Sequence, residues 1–238
     1  MTIAFIADLH LTPQRPASSM WFDRFMNTTG QMISELYILG DLFEYWVGDD
    51  ASDQLGHKQT EAAIRAVADC GTEIYFIHGN RDFLVGQDFA QRTGCKLLPD
   101  PSVITLDGLQ VVLSHGDYLC TDDVEHQKAR SQMLTSKWKM AFLENPIDAR
   151  IDTAESLRRQ SEGEKKRKSM EIMDVNQGEV EKLMRQQDAD ILIHGHTHRP
   201  GVHQFNIDGK KKTRYVVGDW YTQNSALIYE NQCFMLKA

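Results

Sequence analysis

The sequence is poor in cysteine and has no long apolar run. Its four cysteines are scattered without Cys-x-x-Cys spacing, so neither a disulfide framework nor a thiolate metal site is indicated. No stretch of about 18 apolar residues occurs, which excludes a membrane-spanning helix. The first ten residues lack a basic region and contain Asp8 and His10, unlike a secretory signal. We therefore expect a cytoplasmic protein with reduced thiols.

The sequence also lacks the excess of positive charge that nucleic-acid binding requires. The formal net charge is −8 over 238 residues, which argues against nucleic acid as a partner. The charge is uneven, because residues 128–168 contain eleven Lys and Arg against six Asp and Glu. This segment is predicted to meet anions.

Five short, mainly apolar runs each lead directly into residues that can bind a metal ion. The runs are residues 3–7, 36–39, 73–78, 111–114 and 191–193, and the polar residues after them are Asp8 and His10, Asp41, Asn80, His115, and His196 and His198. Their β-branched and aromatic residues favour strands. Helical patterns at residues 18–32, 57–70 and 82–93 alternate with the first runs. The sequence therefore predicts an α/β protein with its site at the carboxyl edge of a sheet.

Two Asp-Gly pairs and the end of the chain predict further strands. Asp107-Gly108 and Asp208-Gly209 are flanked by alternating apolar residues, a pattern typical of β-hairpins. Residues 214–217 and 225–236 are predicted to be closing strands.

Residues 120–187 have no strand signal and interrupt this alternation. Leu134, Trp138 and Phe142 recur at a spacing of four beside Lys and Arg, which indicates a helix with an apolar stripe. The stripe either packs on the sheet or forms a lid, and its place between two ligand-bearing strands favours the lid. The predicted division is a core of residues 1–119 and 188–238 and a helical, lipid-binding cap of residues 120–187.

The residues at the strand ends suit a pair of metal ions. Asp8 and His10 can share one ion, and the carboxylate of Asp41 can bridge two. The full set of candidate ligands is Asp8, His10, Asp41, Asn80, His115, His196 and His198. Seven mixed nitrogen and oxygen ligands are too many for one tetrahedral zinc ion. Two ions roughly 3.5–4 Å apart can hold a hydroxide and clamp a displacement at phosphorus, so hydrolysis of a phosphoester or phosphoanhydride is predicted.

The order Asp-x-His, Gly-Asp-x-x-Glu, Gly-Asn-x-Asp, His-Gly-Asp and Gly-His-Thr-His resembles the calcineurin-like metallophosphoesterases. The resemblance implies a four-layer αββα sandwich with a helical insertion cap and two Mn²⁺ ions. It implies that the first ion is held by Asp8, His10, Asp41 and His198, and the second by Asp41, Asn80, His115 and His196. The catalytic residues would be Asp41, Asn80, Arg81, His115 and His196.

Around these motifs the sequence is similar to the branch of the family that acts on UDP-2,3-diacylglucosamine in lipid A synthesis. This similarity implies that a hydroxide activated by both ions attacks the α-phosphorus, giving UMP and 2,3-diacylglucosamine 1-phosphate. It implies substrate contacts by Asn80, Arg81, Asp123, Ser161, Lys165, Lys168 and His196. The branch commonly has Asn at the position of Lys165 and Tyr at that of His126, so the sequence departs there.

An apolar stripe beside basic residues also fits a protein that binds an anionic bilayer. We expect a monomer that is peripheral on the cytoplasmic face of the inner membrane. Two other functions remain open: hydrolysis of soluble nucleotide diphosphates or phosphodiesters, and a non-enzymatic scaffold, against which the intact ligand set argues.

Arg81 bears on the choice of substrate. Relatives that cleave phosphomonoesters commonly have His there, and Arg cannot serve as a general acid near neutrality. A diphosphate needs no such acid, because a phosphate leaving group has a second pKa of about 6, and a guanidinium can neutralise the developing charge. The alternative is an ion pair between Arg81 and Asp82. His194 is expected to be packed rather than to bind metal.

Overall fold

The buried apolar runs form the central strands of two sheets. The computed structural model describes residues 1–165, 172–222 and 224–237. The strands are β1 (Thr2–Ile6), β2 (Glu35–Leu39), β3 (Glu73–Ile77), β4 (Lys96–Leu98), β5 (Ser102–Leu106), β6 (Leu109–Ser114), β7 (Ile191–His194), β8 (Gly201–Ile207), β9 (Lys210–Val216), β10 (Ala226–Glu230) and β11 (Cys233–Lys237). In the described residues the first sheet has the order β11-β10-β1-β2-β3-β4, and the second has the order β5-β6-β7-β9-β8.

The strands that carry the predicted ligands run parallel within each sheet. β1 pairs with β2, and β2 pairs with β3; β6 pairs with β7 in the second sheet. Parallel neighbours bring their carboxyl ends to one edge. The side chains that follow these strands are therefore gathered at a common edge, as the sequence predicts.

Some helices cover the outer faces of the two sheets, and others belong to the insertion. The α-helices of the described residues are α1 (Pro16–Asn27), α2 (Lys58–Asp69), α3 (Gln87–Thr93), α4 (Val124–Met133), α5 (Ser136–Leu143), α6 (Ile147–Lys165) and α7 (Gln177–Gln186). Buried residues of α1, α2 and α3 pack on one face of the first sheet, and those of α7 pack on the second sheet. The other faces of the two sheets pack against each other. These four layers confirm the predicted αββα sandwich.

Alternation along β1 shows how the sequence builds these layers. Ala4 and Ile6 contact the helix layer, whereas Ile3 and Phe5 contact the second sheet, and all four are fully buried. Successive side chains of a strand point to opposite faces. A strand enclosed on both sides therefore has to be apolar throughout, which is why this run lacks polar residues.

Both predicted hairpins are confirmed. Asp107 and Gly108 join β5 to β6 with φ of 47° and 87°, and Asp208 and Gly209 join β8 to β9 with φ of 51° and 79°. Positive φ at both central residues is the geometry of a type I′ turn, whose twist matches that of the paired strands.

The predicted start of the third helix was wrong. The sequence pattern places a helix from Asp82 to Thr93, but α3 begins only at Gln87. The first five residues of the predicted range form turns, because the buried carboxylate of Asp82 accepts backbone hydrogen bonds from two loops. A helix starting at Asp82 would not keep that side chain beneath the loops. Gly94 then ends α3 in the left-handed conformation, with φ of 76°, which is common after helices.

The predicted insertion is helical, as expected, and its parts lie in two places. The chain leaves the core after Leu119 and returns at Asn176, whose N–H donates to the Leu119 carbonyl at 2.8 Å. Between these points lie α4, α5 and α6, whereas α7 belongs to the layer on the second sheet. None of the helices in the described part of the chain combines the length and the apolar character needed to span a bilayer.

Candidate active site

The predicted ligands sit in tightly turned loops at the ends of the strands. Five of them have positive φ: Asp8 (55°), His10 (47°), Asp41 (52°), His196 (65°) and His198 (57°). For residues other than glycine this left-handed conformation costs about 1–2 kcal/mol each. Such strain persists only where surrounding contacts enforce it, and it clusters at functional sites.

Hydrogen bonds between the loops hold these strained residues in place. The N–H of Asp8 donates to the Gly40 carbonyl at 3.1 Å, and that of His10 donates to the Asp41 carbonyl at 2.9 Å. The N–H of His196 donates to Oδ2 of Asp8 at 2.8 Å. Three strand ends from two sheets are therefore tied into one unit.

Asp8, His10 and His198 form one group of converging ligand atoms. Nε2 of His198 lies 3.3 Å from Oδ1 of Asp8 and 3.3 Å from Nε2 of His10. Oδ2 of Asp41 lies 3.7 Å from Nε2 of His10. This group contains the four residues predicted for the first ion.

Asp41 faces a second group with its other oxygen. Oδ1 of Asp41 lies 3.7 Å from Nε2 of His115, and Oδ1 of Asn80 lies 3.1 Å from the same nitrogen. The ring of His196 is 5.0 Å from that of His115, centroid to centroid. Because its two oxygens point toward different groups, Asp41 can bridge two ions. The four residues predicted for the second ion are also brought together.

The electrostatics of the site favour cations. Asp8 is fully buried, Asp41 is 2% exposed, and Oδ1 of Asp8 receives no hydrogen bond from the described residues. Burial raises the pKa of Asp41, because the charged form loses its hydration. Burial alone would lower the pKa of His115, but the negative charges of Asp41 and its neighbours outweigh it and raise the pKa to about 9. Buried carboxylates with open lone pairs and converging imidazoles fit divalent metal ions.

Contacts of the ring nitrogen that faces away from the ligand groups orient His115 and His198. Nδ1 of His115 donates to the Leu39 carbonyl at 2.9 Å, which leaves Nε2 to face the ligand group. Nδ1 of His198 lies 3.9 Å from Oδ2 of Asp219. Such partners fix the ring and the tautomer of a metal-binding histidine. Asp219 has no signature in the sequence, because its closeness to His198 arises only in the folded chain.

His194 is packed, as expected, and turns away from both groups. Its Nδ1 lies 2.9 Å from the Gly195 carbonyl, and its Nε2 lies 3.2 Å from Nη1 of Arg214. Burial, followed by the charge of Arg214, lowers its pKa to about 3. A neutral ring can accept from Arg214 while it donates to the Gly195 carbonyl, which supports the turn that carries His196.

Asp82 organises the loops, and in the sequence it is the last residue of the Gly-Asn-x-Asp motif and an alternative partner of Arg81. It is fully buried, and its carboxylate accepts from the N–H groups of Gly79 at 2.8 Å, Leu42 at 2.7 Å, Asp41 at 3.2 Å and Phe43 at 3.4 Å. No ion pair between Arg81 and Asp82 occurs among the described residues. A polar residue after an apolar strand could have signalled this role, since buried N–H groups need acceptors.

Two glycines allow the loops to approach. A side chain at position 79 would collide with the carboxylate of Asp41, and one at position 195 would come within 2.5 Å of Oδ2 of Asp8. Glycine is therefore required by close contact at these positions.

A cleft of about 930 Å³ opens from the two ligand groups. Its lining includes polar residues, among them Asn80, Arg81, Asp123, Ser161 and His196, and apolar residues, among them Trp46, Phe83, Leu134, Trp138, Phe142 and Leu157. The cleft can thus receive a ligand with a charged head and an apolar body.

Most of the predicted substrate residues line this cleft. Asp123 also caps α4, because its Oδ1 accepts from the His126 N–H at 3.1 Å. Lys168 and the side chain of Lys165 lie outside the described residues. The stripe residue Trp138 stacks on Phe142, with centroids 4.8 Å apart, and both line the cleft while packing against the core. The stripe therefore packs on the core and also lines the cleft.

Comparison with known proteins places the chain in a class. The family model described as calcineurin-like phosphoesterase matches residues 1–200. The chain therefore belongs to the calcineurin-like phosphoesterase family, in agreement with its layers and with the ligand groups at its strand ends.

Within this class, three similar relatives carry one name, UDP-2,3-diacylglucosamine hydrolase. The protein from Aromatoleum aromaticum is 46% identical over 93% of this chain and 90% of its own length. That from Vibrio parahaemolyticus is 45% identical over 100% and 98%. That from Aeromonas hydrophila is 47% identical over 96% and 94%.

Replacing Asp82 should destabilise the fold even without metal ions. Asp82→Asn substitutes an NH₂ group for one acceptor oxygen and leaves buried N–H groups unpaired, so we expect a loss of about 2–4 kcal/mol in the free energy of unfolding. Urea unfolding with a chelator at about pH 8 measures this, above the pKa of about 6 that burial and the charge of Asp41 give Asp82.

Asp88→Asn is the matched control for this measurement. Asp88 is exposed on α3, and a surface substitution there should change the unfolding free energy by no more than about 0.5 kcal/mol. Equal stabilities of the two variants would contradict the role given to Asp82.

Proposed function

We propose that this protein hydrolyses the diphosphate bond of UDP-2,3-diacylglucosamine, giving UMP and 2,3-diacylglucosamine 1-phosphate in lipid A biosynthesis. The observation that carries the assignment is the cleft, whose lining joins residues of both ligand groups to apolar residues of the core and of the insertion helices. A sugar phosphate with two acyl chains has the same combination of charged and apolar parts. The shared name of the relatives supports the same substrate.

We propose that two Mn²⁺ ions occupy the ligand groups and share Asp41. Asp8, His10 and His198 would complete the first group, and Asn80, His115 and His196 the second. When bound, a divalent pair lowers the pKa of water and neutralises phosphate oxygens. Mixed carboxylate, amide and imidazole ligands without thiolates suit divalent first-row metals, and the choice of Mn²⁺ among them follows the resemblance to the family.

The protein's own groups would then position the diphosphate. Asn80 and His196 lie at the junction between the ligand groups and the cleft, where they can meet the phosphate beside the sugar. Arg81 lines the same junction, and its guanidinium would neutralise charge on the departing phosphate after water attacks the α-phosphorus. Asp123 and Ser161 would hydrogen-bond the glucosamine, and the contacts expected for Lys165 and Lys168 stay predictions from the resemblance.

We further propose that α4, α5 and α6 form the lipid-binding cap of the predicted segment 120–187. Their apolar residues line the cleft, and the hydrogen bond between Asn176 and Leu119 closes the excursion at its base. In this division α7 serves the core, because its buried face packs on the second sheet. The core would then comprise the predicted residues 1–119 and 188–238 together with α7, which the sequence prediction placed in the cap.

Acyl chains should be essential for efficient turnover. UDP-2,3-diacylglucosamine should be cleaved far faster than UDP-glucose in Mn²⁺, because only the former has acyl chains that can contact the apolar lining. Trp138→Ala should raise KM for the lipid substrate about 10- to 100-fold, since an aromatic contact of about 1.5–3 kcal/mol is lost. Steady-state kinetics in mixed micelles measures both effects.

Leu109→Ala controls for general loss of apolar surface. Leu109 is an exposed residue at the start of β6 and does not line the cleft. The KM of the Leu109→Ala variant for the lipid substrate should therefore be unchanged. Equal rates on the two substrates would instead favour an enzyme for soluble nucleotide diphosphates.

Two variants should distinguish the loss of bound metal from the loss of catalysis. Asp41→Ala should lose bound metal and activity together, because it removes the carboxylate that faces both ligand groups. Arg81→Gln should keep its metal but lose about 10²- to 10³-fold in kcat, the range expected when one charge-stabilising donor is removed. Elemental analysis by plasma mass spectrometry and kcat measurements report the two quantities. Retained turnover in Asp41→Ala would refute the two-metal site and reopen other mechanisms.

We propose that the cap also binds the anionic cytoplasmic face of the inner membrane. Met140 and Leu143 of α5 are 62% and 41% exposed within the basic segment 128–168. Exposed apolar groups and positive charge together favour peripheral binding to acidic lipids.

Vesicle sedimentation tests this surface. Binding should be stronger to vesicles containing phosphatidylglycerol than to phosphatidylcholine alone, and Met140→Asp with Leu143→Asp should weaken it several-fold. Val103→Asp, at an exposed position of β5, is the control and should bind like the unmodified protein. A double variant that binds as well as this control would show that α5 is not the docking surface.

A further inference from the structure

Glu44 is a buried acid at which several parts of the site meet. It is 2% exposed, and its carboxylate forms ion pairs with Arg15 and Arg158. The hydroxyl of Tyr221 lies 3.4 Å from its Oε2. Arg15 follows β1, Arg158 belongs to α6 and Tyr221 precedes β10, so three distant segments converge on one side chain.

Two of these contacts lead to the first ligand group. Oε2 of Glu44 lies 3.9 Å from Nδ1 of His10, on the side of the ring opposite the nitrogen that faces Asp41. Arg15 donates from Nη2 to the His10 carbonyl at 3.4 Å, and its guanidinium lies 4.2 Å from the ring centroid of Tyr221. The ring of Tyr221 stacks on that of His10 at 5.0 Å and 17°. Glu44, Arg15 and Tyr221 therefore enclose His10.

The remaining contact leads to the cleft. Arg158 lines the cleft together with Ala154, Leu157 and Ser161, which are carried by the same helix. The ion pair between Arg158 and Glu44 thus ties the cleft wall to the loop that follows β2. A buried carboxylate strongly favours keeping its charged partner, since loss of the partner leaves an uncompensated charge.

A separate contact anchors the start of α6. Arg150 is 3% exposed and donates to the Val47 carbonyl at 2.6 Å and to Oδ1 of Asp50 at 2.9 Å. None of the ligand groups is in contact with this second anchor among the described residues. The helix is also held by hydrogen bonds from Tyr45 to Glu155 and from Gln54 to Asp148 and by packing of Ile147, Ile151 and Ala154 on the core. Of these anchors, the one at Glu44 adjoins His10.

We propose that Glu44 is a positioning residue that couples the placement of α6 to the placement of His10. A wall of the acyl-binding cleft and a ligand of the first ion are then set by the same carboxylate. By reciprocity, the ion pair between Glu44 and Arg158 strengthens ion binding at His10, and ion binding strengthens that ion pair. The coupling of the two segments rests on contacts alone, whereas its consequence for ion binding rests on the proposed function.

Mn²⁺ titrations of four variants test the coupling. Glu44→Gln should weaken binding at the Asp8, His10 and His198 group about 10- to 100-fold, the range for partners that orient a metal ligand. Arg158→Met should weaken it as well, although it changes a residue of the cleft wall, and the double variant should be no weaker than Glu44→Gln. Arg150→Met, the matched control on the same helix, should leave Mn²⁺ affinity unchanged. An unchanged affinity in Arg158→Met, or a loss in Arg150→Met equal to that in Arg158→Met, would overturn the coupling.

Hydrogen exchange in the metal-free chain separates this coupling from the proposed function. Arg158→Met should speed amide exchange in residues 9–15 as well as in α6, whereas Arg150→Met should speed it in α6 alone. Arg158→Met retains the pair between Glu44 and Arg15, so it tests the coupling even if Glu44→Gln does not fold. Faster exchange confined to α6 in Arg158→Met would overturn the coupling, whether or not the protein binds Mn²⁺.

Discussion

Two buried carboxylates of like charge, which need a positive partner, determine the architecture of the site. Asp8 and Asp41 are buried where two sheets bring their strand ends together, and each lies within reach of the same imidazoles. Without a positive partner, such carboxylates oppose folding. The loops therefore have to be held by other means until a cation is bound, and much of the structure around them supplies that restraint.

Hydrogen bonds to and from backbone groups supply part of this restraint, beside the packing of buried residues such as Leu9 and Leu42. Asp82 accepts from two loops, Asp8 accepts from the turn of His196, and the Leu39 carbonyl accepts from His115. Each bond fixes a ligand from one strand by means of an element from another. A rigid arrangement of ligands before binding lowers the entropy lost when an ion and a substrate are ordered.

The sequence predicts the parts of this protein that depend on local pattern. Three kinds of feature could be read from the sequence: the apolar runs of the strands, the Asp-Gly hairpins, and ligands such as Asp41 and His115 at strand ends. Parallel pairing of the strands then brings those ligands together. Glu44 and Asp219 could not be given roles, because their partners are brought to them only by tertiary contacts. For Asp82 the sequence shows a polar residue after a strand but not the N–H groups that it accepts from. The delayed start of α3 has the same origin, since the helical pattern cannot show that Asp82 is needed beneath the loops.

The hydrogen bond between Asn176 and Leu119 has a consequence for how this protein could diversify. The inserted segment that contains α4, α5 and α6 leaves and rejoins the sandwich at one point. Its two ends therefore stay together whatever lies between them. The entropy of closing a loop rises only slowly with its length. Helices could therefore be lengthened, shortened or exchanged there with little strain on the sheets, and selection could alter the ligand that is admitted while the reacting centre stays unchanged.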